Sequence, residues 1–163
     1  ERLDGFRYLV FAEHHLYDND QLTEKVEHLV FTDESKGTQT MFLLGAMILD
    51  TINKGKILVV DEFDTSLHPH ITRYLLNLFL SLSNSKGAQL IFNSHDISLL
   101  DRDLLRKDQI WLTEREETGN SELFSLQDFE GLRDEIPFEK WYMVGKFGAL
   151  PNIDLGENVF NNE

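Results

Sequence analysis

Two short runs, Ile57-Leu58-Val59-Val60 and Gln89-Leu90-Ile91-Phe92, constrain the fold of this chain more than any other feature. Each is too short for a helix and, Gln89 apart, too uniformly apolar for a strand with one wet face. Both read as strands covered on both faces by helices in a parallel sheet. Between them, Pro69 suits the first turn of a helix. Ile71, Leu75, Leu78, Phe79 and Leu82 then recur on one helical face until Lys86-Gly87 ends the pattern. A strand, a helix and a strand in that order predict an α/β fold with a parallel sheet, in which chemistry gathers at the carboxyl ends of the strands. Polar residues stand at both ends: Asp61-Glu62 after the first strand, and Asn93-Ser94-His95-Asp96 after the second.

The flanking segments supply further elements. From Lys36 to Asn53, Met41, Leu44, Ile48 and Ile52 recur at helical spacing, with Phe42, Leu43, Met47 and Leu49 widening the stripe. This predicts a long, well buried helix, with Gly55 supplying its C-cap. Residues 6–17 and 26–32 read as two strands around the turn Asp18-Asn19-Asp20-Gln21, a hairpin at the edge of the main sheet. Asp108 to Thr113 and Glu122 to Leu126 read as two more strands, and Pro137 to Phe147 as a last helix. One domain over residues 1–152 is expected, followed by a frayed tail over 153–163. The chain opens at Glu1 directly into the strand-like Phe6-Arg7-Tyr8-Leu9-Val10-Phe11, which reads as the start of a fragment.

Composition narrows the partners. The net charge of -14 argues against broad contact with nucleic acid, although DNA could still be held by another part of a larger protein. No apolar run approaches the roughly 18 residues that a membrane span requires, so no membrane association is expected. The absence of cysteine suits a reducing cytoplasm.

Chemistry concentrates in three places. Asp61 and Glu62 at a strand mouth are what nucleoside triphosphate hydrolysis requires: one carboxylate to position Mg²⁺ and a second to orient or deprotonate water. Asp33-Glu34-Ser35-Lys36-Gly37-Thr38-Gln39 precedes the long helix, so the Ser35 hydroxyl and the free helix N–H groups form a candidate anion site. The competing reading is an ordinary N-cap made by Ser35 or Thr38. His95, at the end of the second strand, could hydrogen-bond a terminal phosphate or the attacking water.

Taken together and in order, these segments resemble an ATPase family. Ser35-Lys36-Gly37-Thr38-Gln39 resembles the signature motif of ABC-type ATPases and Val59-Val60-Asp61-Glu62 their Walker B. Thr65-Ser66-Leu67-His68-Pro69 resembles the D-loop and Asn93-Ser94-His95-Asp96 the switch histidine. The run from Asp61 to Pro69 and the late Gly148-Ala149-Leu150-Pro151-Asn152 look most like AAA/OLD-like and RloA- or AbiLi-type ATPases of bacterial phage defence. The signature departs from LSGGQ, Phe63 stands where transporters carry proline, and His68 takes the usual D-loop aspartate position. These departures point to the SMC/RecF-like branch.

The resemblance implies the C-terminal part of a P-loop NTPase-like (ABC-ATPase) head, a sheet with flanking helices lacking the P-loop half, since no GxxxxGK[ST] occurs. It implies ATP and Mg²⁺ as cofactors, Asp61 on the metal, and Glu62 and His95 as catalytic residues. Ser35, Lys36, Gly37, Gln39, Ser66 and His68 would line the nucleotide seam. Expected partners are the missing N-terminal P-loop half, a second head in a homodimer, and a nuclease or other effector. The isolated chain is expected to be inactive. Two alternatives stay open: an autonomous metal-dependent hydrolase using Asp61, Glu62, His68, His70, His95 and Asp96, and a non-catalytic dimerisation domain.

Overall fold

A computed structural model describes residues 9–116, 118–131 and 137–150. The described residues are mixed α/β, with three two-stranded sheets, and the chain divides into two compact units between His95 and Asp96.

The first unit opens with an antiparallel hairpin, β1 (Phe11–Asp18) and β2 (Gln21–Val30), turning at Asn19 and Asp20. Both turn residues have positive φ, 47° and 62°, the left-handed pair that a tight two-residue turn demands and that Asn and Asp tolerate. The second strand thus begins five residues earlier than its apolar content suggests. The pair forms its own sheet and not the edge of the main one.

Helix α1 (Lys36–Lys54) starts where Ser35 Oγ accepts the Thr38 N–H and stops at Gly55, whose φ of 63° is left-handed. A Cβ at Gly55 would lie 2.8 Å from the Lys86 carbonyl oxygen, so only glycine fits both the conformation and the neighbour. Strand β3 (Ile57–Val60) follows, then α2 (Pro69–Leu80), then β4 (Gln89–Phe92). The strands β3 and β4 pair in parallel, with Ile57 opposite Gln89 and Val60 opposite Phe92. The expected strand–helix–strand unit is present.

Burial departs from the sequence expectation. On α1 only Leu44, Ile48 and Thr51 are buried, whereas Phe42, Leu43 and Leu49 are more than half exposed. Helix α1 packs against β3 and α2, and the strands alternate accordingly: Leu58, Val60, Leu90 and Phe92 are half-buried, while Ile57, Val59 and Ile91 are 61%, 70% and 58% exposed. Four consecutive apolar residues suit a strand with two dry faces, but among the described residues the sheet has one. Helix α2 also ends before Leu82, which is fully exposed. Ser81 Oγ donates to the Leu78 carbonyl, and the Asn84 side chain donates to the Phe79 and Ala88 carbonyls while accepting the Ala88 N–H, folding the chain back toward β4.

The second unit carries the hairpin β5 (Trp111–Arg115) and β6 (Ser121–Ser125) and a six-residue helix α3 (Phe138–Met143). Asp108 and Gln109 lie in a 3-10 turn and not in the strand, and α3 stops short of Phe147 because Gly145 turns left-handed, with φ 72°. Phe147 packs edge-on against Phe129, itself beside Phe124. Among the described residues, no helix is long and apolar enough to cross a membrane. Residues 1–8, the Pro151-Asn152 end of the late motif and the expected tail lie outside the described residues.

Candidate functional site

Parallel pairing of β3 with β4 brings the two polar clusters side by side. With Val60 opposite Phe92, the next rung faces Asp61 with Asn93. The Asn93 side chain bridges the acid pair: its Nδ2 donates to Asp61 Oδ1 at 2.6 Å, and its Oδ1 accepts the Glu62 N–H at 2.5 Å. A carboxylate only accepts and a backbone N–H only donates, so a single orientation of the carboxamide satisfies both. The backbone continues the clamp, as Asn93 N–H donates to the Val60 carbonyl and Phe63 N–H to the Asn93 carbonyl.

Glu62 stands in the left-handed region at φ 51°, a conformation that costs an ordinary residue roughly 1 kcal/mol or more. Three groups hold it there: Asn93 on its N–H, Thr65 N–H on its carbonyl, and Thr65 Oγ1, which donates to Glu62 Oε2 at 3.0 Å. The next residue, Phe63, is 1% exposed and stacks at a tilt on Phe92, anchoring the turn from below. Phe63 therefore fills the core beneath the turn at Glu62. The Glu62 carboxylate is exposed, and so are Asp61 and His95. The His95 N–H donates to Asp64 Oδ1, tying the end of β4 to the turn after Glu62.

The turn after Asp64 brings in Ser66, also left-handed at φ 62°. Its carbonyl faces Gly37 so closely that a Cβ there would stand 2.9 Å away. The start of α1 and the turn between β3 and α2 are thus in direct contact. Ser35 is the N-cap of α1, and its hydroxyl also hydrogen-bonds Thr38 Oγ1. Gln39 spends its Nε2 on the Thr32 and Glu34 carbonyls, fastening the loop before the helix. Glu34 in turn meets His14 of the hairpin at 2.5 Å. Lys36 is exposed beside them. His68 caps α2 by accepting the His70 N–H on Nδ1, and the two rings lie edge to face.

Among the described residues, no three His, Asp or Glu side chains converge as a metal-binding group. The set Asp61, Glu62, His68, His70, His95 and Asp96 therefore does not form the cage that an autonomous metal hydrolase needs. The reason is local: His68 and His70 are turned toward each other at the start of α2, and Asp96 caps the following turn through the Ser98 N–H.

Residues 3–101 match the family described as AAA domain, putative AbiEii toxin, Type IV TA system, a stretch covering more than half of the chain. The chain belongs to this family. The matched stretch contains every one of the candidate residues from Ser35 to His95, and it makes the strand–helix–strand segment part of an AAA/ABC-type ATPase-like domain. Neither the curated proteins nor the solved structures include one that matches the chain.

Asn93 and Thr65 had no assigned role in the sequence reading. The signal for Asn93 is register: once the strands pair in parallel with Val60 opposite Phe92, the residue after each strand must meet the other. Thr65 carries no comparable signal, because its contact depends on the left-handed backbone at Glu62.

Proposed function

We propose that this chain is the C-terminal part of an ATP-hydrolysing ABC/SMC-like head with a P-loop NTPase-like fold, its P-loop supplied by an N-terminal segment or by another chain. The observation that supports this most strongly is the paired carboxylate at the mouth of β3, with Asp61 steered by Asn93 and Glu62 held left-handed between Asn93 and Thr65.

Asp61 fits Mg²⁺: it is an exposed hard-oxygen donor, and Asn93 takes Oδ1 and leaves Oδ2 for the ion, whose other ligands would be water and phosphate. Held there, the ion would supply positive charge to offset the phosphates of ATP. Glu62, one residue further on, would orient or deprotonate the attacking water, and His95 would donate to the terminal phosphate. Ser35, Lys36, Gly37, Gln39, Ser66 and His68 would form the seam against the nucleotide of a second head. ATP would join two heads and hydrolysis release them. The likeness to RloA- and AbiLi-type ATPases, together with the toxin–antitoxin description of the family, supports a defence effector, a nuclease among the candidates, as what the head drives; the head would act in the cytoplasm.

The test is ATP turnover by the chain alone and by the chain joined to a P-loop-bearing segment, with Glu62→Gln beside wild type. Turnover only with the P-loop, lost by roughly 100-fold or more in Glu62→Gln while ATP still binds, is the expected result. Robust turnover by the chain alone, indifferent to Glu62, would sink the assignment.

A further inference from the structure

We infer that Asn93 is a positioning residue for hydrolysis, setting the Asp61 carboxylate and the Glu62 backbone together through one carboxamide; the inference rests on the ATPase reading above. Three observations carry it. The carboxamide donates to the Asp61 carboxylate at 2.6 Å and accepts the Glu62 backbone N–H at 2.5 Å, and the chemistry of these two partners allows one orientation alone. Glu62 is held in a backbone conformation that it would not adopt unaided. Asn93 is itself fixed by the β3–β4 ladder through Val60 and Phe63, so the clamp is mounted on a strand end and not on a free loop.

Loss of the side chain would free two things at once: the rotation of the Asp61 carboxylate, and the backbone from which the Glu62 carboxylate projects. Displacing a catalytic group by about 1 Å costs up to about 100-fold in rate. Asp61 and Glu62 keep their places at the end of β3 when the carboxamide is lost, so the effect is expected on kcat more than on KM for ATP.

Two variants separate the contacts. Asn93→Ala removes both. Asn93→Asp keeps an acceptor for the Glu62 N–H and sets a carboxylate against Asp61 in place of the donor. In the protein joined to its P-loop-bearing segment, both are expected to lower kcat roughly 10- to 100-fold with KM for ATP held within about threefold. The amide-proton resonance of Glu62, recorded without nucleotide, is expected downfield in wild type and Asn93→Asp and shifted upfield in Asn93→Ala. The remaining amide spectrum of Asn93→Asp shows whether the fold is intact. Turnover that requires Glu62 but is unchanged in Asn93→Ala would overturn the inference, as would a rise in KM with kcat unchanged, or a Glu62 amide indifferent to Asn93→Ala. A wild-type protein without turnover would overturn the ATPase reading itself, and this role with it.

Discussion

Glu62 and Ser66 share an unusual backbone conformation within five residues. The Ser66 carbonyl also lies against Gly37, whose missing side chain lets it approach. Gly37→Ala forces a Cβ against a backbone oxygen that cannot swing aside, and it is expected to destabilise the chain by about 1–3 kcal/mol, read as a fall in thermal midpoint. Ser66→Gly relieves the left-handed strain and is expected to be neutral or to stabilise by up to about 1 kcal/mol. If Gly37→Ala left the midpoint unchanged, the contact between these two turns would be wrong. The glycine of the signature-like motif is thus required by packing inside the chain, independently of any phosphate it meets. Sequence reading singled out Asp61, Glu62 and His95 because they are polar residues at strand ends, Gly37 because it opens a helix, and Ser66 through the D-loop resemblance. It did not find Asn93 or Thr65, because hydrogen-bond partners brought together by register and by positive φ leave no periodic trace.

Among the elements, α1 illustrates how a helix can satisfy a sequence pattern and still expose much of it. Ile48 is fully buried, whereas the adjacent Leu49 is 57% exposed. Ile48→Ala is expected to cost about 2–5 kcal/mol and Leu49→Ala less than about 0.5 kcal/mol in denaturant melts, although hydropathy alone scarcely separates them. At the end of the same helix, Asp50 accepts hydrogen bonds from Lys54 and Lys56, which hold its carboxyl below the ordinary carboxylate value. A carboxyl whose folded value is depressed stabilises the fold above its unfolded value, and that contribution fades as pH falls through the lowered one. Asp50 is exposed, so the effect is small and screened. Asp50→Asn should melt slightly lower than wild type at neutral pH and low salt, and the two should converge in acid or in about 1 M salt. A gap that persisted under both conditions would point to something other than charge.

For the whole molecule, the exposed apolar surface is the main departure from expectation. Ile57, Val59 and Ile91 on the open face of the β3–β4 sheet, and Phe42, Leu43 and Leu49 on α1, are residues that a finished α/β core would cover. On the proposed reading, a P-loop-bearing segment is what covers them. The chain by itself should therefore bind a hydrophobic dye such as ANS, and the fluorescence should fall when that segment is joined to it. Undiminished fluorescence would mean that these faces are not where the rest of the head packs.

The sequence by itself determined the bounds of β3 and β4, the start of α1 and its glycine stop, the proline start of α2 and the carboxylates at the mouth of β3. Each depends on local rules, on side-chain period, capping and strand ends, that act within a few residues. Tertiary structure alone decided that the hairpin forms a separate sheet, that the sheet has one dry face, that Asn93 lies between Asp61 and Glu62, and that Gly37 lies under Ser66. Those outcomes depend on which segments meet across thirty residues of chain, and an apolar pattern records the surroundings a segment suits, not which partner provides them.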